Sequence, residues 1–147
     1  MAEVAFHFNA PDKLGYACRL LRKIANSQSR AVVLLAENEI ATLDAQLWTF
    51  APLEFVAHCR ANAPAHVLAH SPVVLTDRLD AALPHHEVLV NLSPNWPQGF
   101  DAFARVIEVV TVDESDRQSA RQRWKRYSEM GLNLIRHDLN LRESTAG

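Results

Sequence analysis

The chain has 147 residues, of which 48% are hydrophobic, and a formal net charge of −2. This length predicts one folded domain over residues 1–147, and the near-neutral charge excludes a global attraction to nucleic acid, so any basic site must be local. The apolar runs fall far short of the roughly 20 residues that cross a bilayer. With no basic leader at the start and only two cysteines, the sequence predicts a soluble cytoplasmic protein with no membrane association.

The first third of the chain predicts a strand, a helix, a second strand and a second helix. Residues 4–8 alternate between larger apolar side chains and smaller or polar ones, which is typical of a strand, and residues 14–26 carry apolar side chains at helical spacing. Residues 31–36 are entirely apolar and too few for a helix, so they predict a central strand covered on both faces. Asn38 is the expected N-cap of the next helix, which Pro52 ends.

The rest of the chain predicts shorter elements. Residues 54–72 have no sustained period and are expected to be irregular, whereas residues 73–75 and 87–92 predict short strands on either side of a loop. Residues 106–110 predict the last strand. Asp113 should open the final helix, with Asp116 in the position of a capping-box acid.

This order of elements predicts an α/β fold. Strands that alternate with helices require right-handed crossovers, so we expect three layers, with a mixed, mostly parallel sheet and helices on both faces. Beyond about residue 138 we expect a disordered tail.

The sequence contains no recognisable catalytic, metal or cofactor motif. Its glycines stand outside any phosphate-binding motif, which argues against a nucleotide enzyme. Cys18 lies on the apolar stripe of the first helix, so it is expected in the core. A group of histidines with Cys59 has no zinc-ligand spacing, so these histidines are expected to be solvated loop residues. The group consists of His58, His66, His70, His85 and His86.

The final helix carries the densest basic and aromatic cluster, at residues 121–127. At 100° per residue, Trp124 falls on the stripe that faces the sheet, Arg121 and Lys125 flank it, and Arg117 extends the same edge. This arrangement suits a short ligand that ends in an apolar residue preceded by acids. A plainer interpretation is a solvated basic face with Trp124 in the core.

A different class of function is also open, namely direct binding of single-stranded nucleic acid. Bases would stack on Trp124 while basic side chains contact phosphates. The basic side chains for that role are Arg117, Arg121, Arg123, Lys125 and Arg126.

Residues 120–134 resemble the C-terminal helix of the chi subunit of bacterial DNA polymerase III. The family pattern there is approximately A-R-x-R-[aromatic]-K-x-Y followed by G-[apolar]-N-L, and both halves are present. Upstream, residues 45–48 end in Trp48 and are followed by Phe55, Val56 and His58, which also resembles the family. The resemblance covers roughly residues 3–134 and is poor over residues 58–75.

The resemblance implies a non-catalytic subunit that joins the clamp loader, through the psi subunit, to single-stranded DNA-binding protein. It implies a monomer within a heterodimer that reaches DNA only indirectly. The acidic, Phe-terminated tail of single-stranded DNA-binding protein would bind Arg121, Trp124 and Lys125, with Arg117 and Leu132 as neighbours. The family commonly has Tyr in place of Trp124, which leaves the dimensions of the pocket open.

The resemblance also implies a surface that faces psi. It would include Trp48, Phe55 and Val56. Without the resemblance, Trp48 and Phe55 could equally be ordinary core residues.

Overall fold

The computed structural model describes residues 2–49, 57–79 and 83–139. The predicted α/β class is confirmed, because within these ranges seven strands form one sheet with helices on both of its faces. The elements, in chain order, are β1 (Glu3–Ala10), α1 (Lys13–Asn26), β2 (Ala31–Leu34), α2 (Glu37–Thr49), β3 (His58–Arg60), α3 (Ala65–His70), β4 (Val73–Thr76), β5 (Val88–Asn91), a short 3₁₀ helix (Phe100–Ala102), β6 (Arg105–Thr111), α4 (Glu114–Glu129) and β7 (Leu134–Asp138).

The strands are ordered β3-β4-β2-β5-β6-β1-β7, and every pairing between described strands is parallel. β1, the first strand in the sequence, therefore lies between β6 and β7, the last two strands, and one strand from the edge of the sheet. This placement brings the first strand next to the final helix. None of the helices in the described residues is long and apolar enough to cross a membrane.

Alternate side chains of the strands build two separate cores. Val33, Val90 and Ile107 belong to the core formed with α1 and α2. Val32 and Val106 belong to the core that includes Ala120 and Tyr127 of α4. Because both faces of β2 are covered, all four of its residues are buried, as its entirely apolar sequence predicts. Each fully buried aliphatic side chain contributes about 1.5–3 kcal/mol of transfer free energy.

Several predicted boundaries were wrong. The segment expected to be irregular contains β3 and α3, although residues 54–56 of it lie outside the described residues. The strand at residues 106–110 is not the last one, because β7 follows α4. Helix α2 begins at Glu37, so Asn38 lies within its first turn instead of capping it. The tail expected after about residue 138 lies outside the described residues from position 140 onward.

The start of α4 is fixed by two aspartates. Asp113 is the N-cap, as predicted, and its side chain accepts the backbone N–H of Asp116. Asp116 does not complete a capping box: its carboxylate accepts the N–H and hydroxyl of Thr111 and forms an ion pair of 3.0 Å with Lys13. Burial opposes ionisation of Asp116, but the bonds from Thr111 and Lys13 outweigh it and lower its pKa. These contacts tie α4 to β6 and to α1.

Candidate peptide-binding cleft

An open cleft of about 310 Å³ lies between the sheet and α4. Its strand side is formed by β1, β6 and β7, and its helix side by one edge of α4. The residues that line it are Phe6, Phe8, Asn9, Val110, Thr111, Arg117, Ala120, Arg121, Trp124 and Arg136. The cleft therefore combines an aromatic surface with three guanidinium groups.

The aromatic surface forms because the residue spacing of β1 and of α4 brings aromatic side chains from the two elements to the same place. Phe6 and Phe8 are two apart on β1 and so project from the same face of the sheet, towards α4. Trp124 meets Phe6 edge-to-face, with ring centroids 5.0 Å apart. Trp124 is half-buried and lines the cleft, so its indole packs against the sheet on one side and remains accessible on the other.

The cations come from both sides of the cleft. Arg117 and Arg121 are one turn apart on α4, and Arg136 stands on β7 with its guanidinium carbon 5.2 Å from the centre of the Phe8 ring. Arg121 already has an acidic neighbour, because its Nη1 lies 3.3 Å from Glu114 Oε1. Both side chains of that pair are well exposed, and exposed ion pairs contribute roughly 0–1 kcal/mol to stability. The pair is therefore weak enough for the carboxylate of a bound ligand to replace Glu114 as the partner of Arg121.

Two residues predicted for this site lie outside the lining of the cleft. Lys125 is exposed on α4, one residue beyond Trp124. Leu132 is half-buried and packs against the same core cluster as Trp124. Tyr127 lies three residues after Trp124, on the same side of the helix, and is fully buried, so this side of α4 faces the sheet, as predicted for Trp124.

The sequence did not reveal a buried ionic cluster beneath α4. The Glu108 carboxylate has no exposed surface and accepts hydrogen bonds from Asn91, from Arg123 Nε at 3.0 Å and from the Tyr127 hydroxyl at 2.7 Å. Arg123, 3% exposed, also donates to the Pro94 carbonyl. Burial raises the pKa of Glu108, and the Arg123 guanidinium opposes that rise. A lone Glu within an apolar strand is the signal that could have predicted this cluster, since a buried carboxylate requires partners.

The burial of Arg123 contradicts the hypothesis that five basic side chains of α4 form one surface for nucleic acid. Arg123 faces the sheet, so it cannot contact a phosphate. Arg126 stacks over Trp96, with its guanidinium carbon 4.1 Å from the ring centre, and lies 200° around the helix from Trp124. The five basic side chains therefore do not share one surface.

Trp48 lies far from this cleft, near the other edge of the sheet. Its side chain is 60% exposed, so the core interpretation is wrong for this residue. The ring meets His58 edge-to-face at 5.6 Å, and His58 Nε2 lies 2.7 Å from Asp44 Oδ1. Phe55 and Val56, predicted beside Trp48, lie outside the described residues.

The histidines and cysteines do not assemble a metal site within the described residues. The side chain of His58 is fully covered and His85 is buried, so the prediction of solvated loop histidines is wrong for these two. Cys18 and Cys59 are both buried and free of disulfides, as expected for Cys18 from its place on the helix. Burial raises the pKa of Cys18 to about 11, which makes its thiol a poor nucleophile.

The fold and the site together define a class: an α/β protein with a cationic, aromatic cleft between its parallel sheet and its final helix. The family described as "DNA polymerase III chi subunit, HolC" matches residues 1–135. A DNA polymerase III subunit chi from Pseudomonas aeruginosa is 33% identical over 129 residues, covering 86% of this chain and 87% of the relative. The corresponding subunit of Haemophilus influenzae is 29% identical over 80% of this chain and 81% of the relative, and that of Escherichia coli is 25% identical over 80% and 79%.

The chain belongs to the DNA polymerase III chi subunit family, and its role is that of an accessory subunit in bacterial DNA replication.

Proposed function

We propose that this subunit is a non-catalytic adaptor that connects the clamp loader, through psi, to single-stranded DNA-binding protein. The cleft would hold the acidic, Phe-terminated tail of the latter protein. The observation that carries the proposal is the meeting of the Phe6, Phe8 and Trp124 rings with the guanidinium groups of Arg117 and Arg121 in one cleft.

The two parts of the cleft match two parts of such a tail. A terminal Phe side chain placed against Trp124 would contribute about 1.5–3 kcal/mol. A guanidinium can hold the terminal carboxylate in a bidentate manner, and the remaining cations attract the acids that precede it. After the cost of ordering the peptide, we expect a binding free energy of about −8 kcal/mol or weaker, which is a micromolar Kd that rises with salt.

Calorimetry with an acidic peptide ending in Phe tests this assignment. Trp124→Ala and Arg121→Ala should each weaken binding by about ten-fold or more while leaving the protein folded. Arg117→Ala and Lys125→Ala should have smaller effects, because the former lies further along the helix edge and the latter lies outside the cleft lining.

The matched control is Arg78→Ala. Arg78 is exposed and lines a separate cavity of about 420 Å³, so its removal changes the net charge equally without touching the proposed site. Equal affinity for the wild-type chain, Arg121→Ala and Trp124→Ala would show that the tail binds elsewhere.

For the psi subunit we propose a binding surface to which Trp48, Phe55 and Val56 contribute. An exposed Trp is costly to leave in water and is enriched among residues that dominate interfaces. Trp48→Ala should abolish co-purification with psi. Met130→Ala, which removes an exposed apolar side chain at the end of α4, should leave that co-purification intact.

Direct binding of single-stranded DNA is the competing function. Because Arg123 is buried and Arg126 stacks on Trp96, we expect only weak, salt-sensitive binding of an oligonucleotide by the isolated chain. Tight binding in a fluorescence titration, lost in Trp124→Ala, would instead favour a nucleic-acid-binding module.

A further inference from the structure

The edge of the sheet next to the cleft is formed by β7. This strand pairs with β1 on one side, and no described strand pairs with its other side. It is five residues long, or roughly 17 Å at the usual rise of a strand. The opposite edge strand, β3, has only three residues. β7 is therefore the longer of the two edges in the described part of the sheet.

The register of β7 shows which backbone groups point outward. Val4 pairs with Leu134, and its N–H donates to the carbonyl of Asn133. In a parallel ladder, bonds to the neighbouring strand then involve every second residue, so Ile135 and His137 face β1. The N–H and carbonyl groups of Leu134 and Arg136 point away from it, and no turn, cap or side-chain hydrogen bond among the described residues engages them.

The outward-facing edge and the cleft share a residue. The side chain of Arg136 lines the cleft, while its backbone N–H and carbonyl point to the open edge. A peptide whose last residue fills the cleft can leave it alongside β7. Exposed strand edges accept extended peptides because main-chain hydrogen bonds satisfy both chains. The cations of Arg117, Arg121 and Arg136 suit a peptide rich in acids.

We propose that β7 receives the acidic segment that precedes the terminal residue of the tail as an added strand of the sheet. This inference rests on the proposed function, since it concerns the same partner and the same site. Recognition then has two components: the cleft selects the terminal residue and its carboxylate, and the strand edge binds the backbone upstream with little dependence on side chains other than their charge.

One test compares two substitutions at Arg136. Arg136→Ala removes the cation only, whereas Arg136→Pro removes the cation and also the outward N–H, which β1 does not use. Arg136→Ala should weaken binding of an acidic Phe-terminated peptide by a few-fold, and Arg136→Pro by about ten-fold more. Equal affinities in two folded variants would overturn the added strand.

A second test modifies the peptide instead of the protein, so it does not depend on whether the Arg136→Pro variant folds. Each amide upstream of the terminal Phe is N-methylated in turn, and the affinity of the wild-type chain is measured by calorimetry. A strand pairs through alternate residues, so we expect losses of about ten-fold at every second position and small changes between them. A flat profile would overturn the added strand while leaving the cleft assignment intact. Failure of the unmodified peptide to bind would overturn both.

Sedimentation of the isolated chain tests whether a second copy of the chain occupies the edge instead. We expect a monomer at the concentrations used for binding. A dimer that Arg136→Pro converts to a monomer would show that another copy of the chain pairs with β7, and the proposal would be wrong.

Discussion

Arg123→Met leaves the fully buried Glu108 carboxylate without its cation. Removing one partner of a buried pair typically costs 3–5 kcal/mol, because the remaining charge is left uncompensated. Asn91 and Tyr127 would still donate hydrogen bonds to that carboxylate, so the local geometry should survive. We therefore expect a folded variant that loses about 3 kcal/mol at pH 7 and melts several degrees lower.

The dependence on pH identifies the cause of this loss. Without Arg123, the pKa of Glu108 in the folded state rises further above the ordinary value of 4.5. A carboxyl group whose pKa is raised by folding lowers the free energy of unfolding once the pH exceeds its pKa in the unfolded chain. The loss is about 1.4 kcal/mol per pH unit until the pH reaches its pKa in the folded chain. Moving from pH 7 to pH 5 should thus restore up to about 2.7 kcal/mol.

Urea unfolding followed by circular dichroism at both pH values measures this difference. Groups that titrate alike in the variant and the wild type cancel in the comparison. Adding Glu108→Gln to Arg123→Met should recover much of the lost stability and remove its pH dependence, since no buried charge remains. A loss below about 1 kcal/mol, or one that is equal at pH 5 and pH 7, would refute the uncompensated-charge argument.

Three further outcomes follow from buried groups. Burial lowers the pKa of His85 below its ordinary value of 6.5, so protonation favours the unfolded chain and stability is lost as pH falls below 6.5 towards the folded-state pKa; His85→Gln should reduce this loss in unfolding curves measured at decreasing pH. Cys18 should resist a thiol reagent at pH 8 in the folded chain and react once urea unfolds it. Tyr127→Phe should cost about 1–3 kcal/mol in thermal unfolding, because Glu108 loses a buried donor; an unchanged melting temperature would contradict that bond.

The elements that were predicted correctly are those whose sequence pattern is strong over a short stretch of the chain. The apolar run of β2 and the periodic stripe of α1 required no knowledge of the rest of the chain. Asp113 could be predicted as the N-cap of α4 because capping depends only on a side-chain acceptor and the backbone N–H groups of the next three residues. The edge strands β3 and β7 were missed because each is short and contains charged residues in place of an apolar alternation.

The cleft was predictable only on its helix side. Arg117, Arg121 and Trp124 share one edge of α4, and helical spacing alone places them together. Phe8 and Arg136 come from strands whose position beside α4 is a property of the sheet order, which periodicity does not contain. Arg123 was misplaced for a related reason: a charged residue is by default assigned to solvent, and its buried partner lies 15 residues earlier, on β6.

The position of β1 has a consequence for synthesis of the chain. Its two neighbours, β6 and β7, begin about 100 residues or more downstream, so the N-terminal strand has no partner until most of the polypeptide has left the ribosome. Contacts of such sequence separation are slow to form. The cleft needs β1, α4 and β7 together, so it cannot form before β7 has been synthesised, and a nascent or prematurely terminated chain would lack the proposed peptide site.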